Sequence, residues 1–150
     1  MKLKTIVPLP PEDYIYNLGV IAYSIGYLEW GLLGDLVKHD DKLPDKLKSS
    51  YLVSQSTGQI ADLLINEKHL SLVCDEDLRN RMREFGNILK TIVKTRNSVM
   101  HARPATFPNG EQGLYRWTKK EQMMIDDSLV VKLNEDIQDA VRKDSKLRSV

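Results

Sequence analysis

One cysteine, Cys74, stands among 150 residues. That count excludes an intramolecular disulfide and a thiolate metal cluster, and it suits a reducing compartment. Cys74 reads as a small residue close to a helix start. An excess of either charge is also missing. Against 22 Lys and Arg stand 21 Asp and Glu, a net charge of +1, so no global field would hold a long polyanion and any nucleic-acid contact must be local. His39, His69 and His101 lie far apart, and neither a His-Glu-x-x-His nor a paired-cysteine spacing occurs, so no metal site and no cofactor is expected. His39, Asp40 and Asp41 are read as a polar turn. Gly110-Glu111-Gln112-Gly113 lacks the Lys-Ser/Thr pair of a phosphate loop.

Long apolar runs are absent too. Met1 to Pro11 has no apolar core and no small-residue cleavage site of the kind a signal peptide needs. The most apolar stretch, 15–37, is interrupted by Asn17, Glu29, Asp35 and four glycines, which weakens it as a membrane span. A cytoplasmic protein is expected. Neither repeats nor low-complexity tracts appear.

What is present is an ordinary globular composition, 41% hydrophobic and 29% charged, long enough for one domain over 1–150 with its own core. The patterning predicts an all-α fold: an up-and-down bundle of four to five helices, with an irregular loop or short hairpin before the last one. After Pro10-Pro11, Glu12 and Asp13 open a helix to about Val37. At about 100° per residue, Tyr16, Tyr23, Tyr27 and Trp30 share one side and Leu18, Ile21, Ile25, Leu28, Leu32 and Leu36 the other. Such a helix is the centre of a bundle, or it packs on its own domain with one face and on a partner with the other.

Pro44 can start a short helix through Ser50, and Ser56 or Thr57 can cap a second main helix running toward Leu70. Asp75 begins the third, whose Leu78, Met82, Phe85, Leu89, Ile92, Val93 and Met100 recur at three and four. Pro104 ends it. Between 105 and 127, Pro108-Asn109-Gly110 signals a turn, and either Leu114 to Trp117 forms a short strand or Thr118-x-x-Glu121 caps a helical turn instead. A last helix spans Ser128 or Asn134 to Leu147. The Arg79-Asn80-Arg81-Met82-Arg83 run is read as a solvated helix face.

Arg96 breaks the apolar stripe of the third helix, on one projected line with Leu78, Phe85, Leu89 and Ile92. An inward guanidinium needs a carboxylate, and Glu29, on the aliphatic side of helix one, is the expected partner. Asn97 and His101, four apart, stack on one side of the last turn with Arg96 beside them. The negative end of the helix dipole favours an imidazolium there. The set suits RNA cleavage without a metal. The ribose 2′-hydroxyl attacks phosphorus, a base takes its proton, an acid protonates the leaving 5′-oxygen, and a cation offsets the phosphorane charge. His101 would be acid or base, Arg96 would hold phosphate or position His101, and Asn97 would supply hydrogen bonds. One histidine fits both proton transfers poorly, so a second His101 from a twofold-related copy would complete the site.

Arg96-Asn97-Ser98-Val99-Met100-His101 resembles the Arg-x4-6-His signature of HEPN domains, including the polar residue that often follows the arginine. The resemblance implies a helical bundle with the motif near a helix end, and a homodimer bringing two copies together in a cleft. It also implies metal-independent endoribonuclease activity on an RNA substrate in toxin–antitoxin or phage-defence systems, with an antitoxin or defence-system partner. Some members have lost activity and only bind RNA or protein. Members controlled by a nucleotidyltransferase antitoxin often carry Tyr two residues after the histidine, where this chain has Arg103. Arg103, Trp117 and Lys119 are candidate substrate-binding residues, with Tyr115 and Lys120 beside them as stacking surface and cation. The alternative for the two aromatics is that they pin the loop to the bundle.

Overall fold

The structure, a computed structural model, describes residues 1–147, with side chains through 144. Three long helices carry the fold: α1 (Glu12–Val37), α5 (Glu76–Met100) and α6 (Asp127–Leu147). Three short ones, α2 (Ser49–Leu52), α3 (Thr57–Leu64) and α4 (Glu67–Leu70), lie between the first two. Helix α6 packs on both α1 and α5, and α3 packs on α5. The chain is mostly helical, 63%, which agrees roughly with the all-α expectation, and a small sheet is added to the helices. Strands β1 (Arg103–Thr106), β2 (Gln112–Trp117) and β3 (Gln122–Ile125) form an antiparallel sheet in the order β1-β2-β3. Among the described residues three long helices and three short ones stand where four to five were expected, and the small sheet takes the place of the expected loop or short hairpin before the last helix.

Each boundary has a local cause. Acids at Glu12 and Asp13 face the positive end of α1. A full capping box opens α3, where Ser56 Oγ accepts from Gln59 N and Gln59 Oε1 accepts from Ser56 N. The helix expected to run on to Leu70 stops at Leu64, because Asn66 Oδ1 accepts from Lys68 N and starts α4 afresh. Asp75 Oδ1 accepts from Leu78 N and caps α5. Helix α5 ends at Met100, earlier than Pro104 alone requires, because Arg103, the residue before the proline, is already in β1. Between α1 and α2, the polar turn expected at His39–Asp41 winds into a single 3-10 turn over Asp40–Lys42, and Asp40 accepts from Ser49 N and Oγ.

The aliphatic face of α1 enters a core shared with α3, α5 and α6: Ile21, Leu28, Leu32, Leu64, Phe85, Leu89, Leu133 and Ile137 are buried together. Two glycines set close approaches. A Cβ on Gly86 would come within 2.7 Å of Leu64 and Ile65, so α5 meets α3 backbone to backbone there. A Cβ on Gly113 would run into the Phe107 ring, which in turn meets Tyr14 edge-on at 6.5 Å. The arginine run of α5 is not merely solvated. Arg83 forks onto Glu67 at 2.7 and 3.0 Å, tying α5 to α4, and Arg79 donates to Val73 O. Cys74 is exposed, just ahead of α5.

Candidate functional site

The candidate residues gather where α5 runs into the sheet. His101 is the C-cap of α5, with φ −99° and ψ 5°, its N–H donating to Asn97 O, and its side chain is exposed. Asn97 is half-buried and lines a groove of about 760 Å³ between α3 and α5, with Gly58, Ala61, Asp62, Lys90 and Lys94. Arg96 points to the apolar side, as its place on the stripe predicts. Its Nε is buried without a hydrogen-bond partner.

The expected partner of Arg96 is present as a charge interaction rather than a direct ion pair. Burial pushes the Glu29 carboxyl above the usual range and the Arg96 charge opposes that rise. The geometry also qualifies the expected convergence of the triad. At 100° per residue Asn97 and His101 differ in azimuth by about 40°, whereas Arg96 and His101 differ by about 140°. Within one protomer Asn97 and His101 therefore flank each other, and Arg96 faces the interior.

The sheet separates two sets of side chains. In an antiparallel pair, residues directly opposite share a face. Leu114 stands opposite Ile125 and Arg116 opposite Met123; Leu114, Met123 and Ile125 pack on the core. The other face carries Tyr115 opposite both Arg103 and Met124, with Trp117 opposite Gln122. Two of the three expected substrate-binding residues, Arg103 and Trp117, are therefore on the outer face with Tyr115 between them. Trp117 is 76% exposed, so it does not pin the loop to the bundle. Lys119 is exposed in the 118–121 turn that joins β2 to β3, where Thr118 Oγ1 accepts from Glu121 N. Of the two alternatives the sequence left, the strand is the one that forms: residues 118–121 connect β2 to β3 and make no helical turn.

Arg116 was missed. Its Nη1 donates to His101 O at 3.2 Å, and its Nε lies 3.7 Å from Glu121 Oε2, while Ser98 Oγ donates to Glu121 at 3.2 Å. Arg116 and Glu121 thus fasten the end of α5 to the β2–β3 hairpin and fix the backbone that carries His101. The signal was its alternation with Tyr115 and Trp117, which puts it on the inner face once the strand is assigned. Among the described residues, no group of three or more His, Cys, Asp or Glu could hold a metal ion. Comparisons with protein-family models, with curated proteins and with solved structures found no match to this chain.

Proposed function

We propose that this chain is a metal-independent endoribonuclease of HEPN type, a cytoplasmic toxin or phage-defence component acting with an antitoxin or defence-system partner. The observation that supports it most is the exposed imidazole of His101 at the carboxyl end of α5, two residues before an outer sheet face bearing Arg103, Tyr115 and Trp117. Rings stack unpaired bases and the guanidinium takes phosphate, so a single strand laid across this face passes beside His101. The 2′-hydroxyl then attacks the adjacent phosphorus as its proton leaves to an imidazole. The P–O5′ bond breaks with protonation of the 5′-oxygen, giving a 2′,3′-cyclic phosphate and a free 5′-hydroxyl. Asn97, beside His101, supplies hydrogen bonds. Arg96 contributes positive charge from five residues earlier on α5, and a second His101 in a homodimer shares the two proton transfers.

A second reading, RNA or protein binding without cleavage, is favoured by one specific feature: the azimuths of Arg96 and His101 diverge within the protomer. Incubation with total RNA in EDTA, beside His101→Ala, separates the two. EDTA-resistant cleavage yielding cyclic-phosphate ends, lost in His101→Ala, supports the enzyme. Retention of labelled RNA without cleavage by either protein supports the binding module.

A further inference from the structure

The outward half of α1 is apolar and, among the described residues, uncovered. Tyr16, Tyr23, Tyr27 and Trp30 are between 55% and 78% exposed, Ile15 and Val37 are exposed beside them, and no charged residue interrupts that face. Four rings of roughly 150–250 Å² each, exposed to this degree, present on the order of 400–700 Å². With Ile15, Val37 and Val53, the patch approaches the roughly 800 Å² per partner of a specific interface and exceeds what a monomer commonly shows.

The glycines supply the second observation. Gly19, Gly26 and Gly34 lie on this face, and a Cβ added at any of them would meet nothing within 4 Å. Each costs about 1 kcal/mol of helix stability against alanine. Nothing among the described residues of the protomer requires them.

Large and small side chains alternate at heptad spacing, with Tyr16, Tyr23 and Trp30 on one row and Gly19 and Gly26 beside it, the pattern of knobs and holes. Two recesses flank the rings. One, about 400 Å³, lies among Tyr16, Gly19, Val20 and Tyr23, and the other, about 320 Å³, lies among Trp30, Leu33, Gly34 and Val53. We infer that this face of α1 is the twofold interface of a homodimer, two α1 helices packing antiparallel about an axis between residues 24 and 25. That register sets Tyr23 over the partner's Gly26, Gly19 under the partner's Trp30, and Tyr16 into the recess beside the partner's Leu33. The face is complementary to itself, as a closed twofold contact requires. A lipid surface fits less well. Although α1 is long and apolar enough to cross a membrane, the exposed face has no Lys or Arg between residues 12 and 37, whereas interfacial helices carry them beside the apolar stripe.

The inference stands apart from the nuclease reading, because it concerns association and not cleavage. Light scattering on the size-excluded full chain should give twice the 17.2 kDa monomer mass at about 50 μM. Gly26→Leu, which meets nothing inside the protomer, should shift the mass to that of a monomer with an unchanged far-UV spectrum, and Tyr23→Lys should do the same. In a Cys74→Ser background, Tyr23→Cys should form a disulfide-linked dimer on oxidation and Tyr16→Cys should not. A monomeric wild type, a dimer that survives both substitutions, or a monomer that floats with phosphatidylcholine vesicles overturns the inference. Cross-linking at Tyr16→Cys overturns the antiparallel register. Loss of the dimer without loss of RNA cleavage leaves the face intact and removes the second His101 from the chemistry.

Discussion

The hydroxyl of Tyr14 donates to the carbonyl of Ile125 at 2.6 Å and accepts from the amide of Leu114 at 3.0 Å. Leu114 and Ile125 are partners in register at the last rung of the β2–β3 ladder. The phenol of α1 therefore stands in for a main-chain hydrogen bond and welds the first helix to a sheet a hundred residues later. Burial raises the ionisation point of this phenol, so it keeps its proton across the physiological range.

Tyr14→Phe should therefore destabilise the fold without altering its packed volume. It leaves a part-buried amide and a buried carbonyl each short of a partner, at a cost of about 1–3 kcal/mol. For a chain of this size that is a fall of roughly 3–10 °C in Tm. A denaturation series showing no change would mean that the two main-chain groups find water or each other.

Gly113→Ala should be as damaging for a steric reason, since the new methyl has no room beside Phe107. Overpacking of this kind costs about 1–3 kcal/mol. Combining it with Phe107→Leu should recover part of the loss in a double-mutant cycle, and strict additivity would show that the ring is not what excludes the methyl.

On the proposed RNA path, Trp117→Ala should weaken binding of a single-stranded oligonucleotide by about 1–3 kcal/mol, or roughly 5- to 150-fold, read by fluorescence anisotropy. Arg103→Gln should lower the slope of log K against log salt by about 0.7. Both residues are exposed, so thermal stability should not change. Unaltered affinity in both variants would move the RNA to another surface.

Glu29 gives a pH dependence with a definite sign. Its folded-state pKa is raised above the ordinary 4.5, chiefly by burial. The native chain thus holds this proton more tightly than the unfolded chain. The contribution to stability is complete below about 4.5 and is lost as pH rises through the raised value. Glu29→Gln should remove that slope and leave the protein at least as stable at neutral pH. A variant with the wild-type slope would assign the titration to another group.

Helix positions were legible because apolar residues recur at three and four along α1, α5 and α6, and because caps such as Asp75 and Ser56 are local signals. The inward aim of Arg96 was legible for the same reason. The sheet was harder to see, since β1 and β3 are four residues each and their register depends on partners distant in sequence. Arg116 escaped notice with it, because its contacts to His101 and Glu121 exist only once the hairpin closes. The lack of cover on the aromatic side of α1 was one of two readings, and the sequence did not choose between them. Tyrosine and tryptophan at helical spacing look the same whether the layer that covers them is internal or brought by a neighbour.

Gly86 carries a consequence eleven residues downstream. Seated against Leu64 and Ile65, it fixes how far α5 can turn about its own axis. Residue 97 lies only about 20° from residue 86 in azimuth, so the bearing of Asn97 toward α3 is inherited from that seat. A methyl group placed there would roll the rod like a key in a lock, redirecting its terminal side chains while leaving each of them chemically untouched.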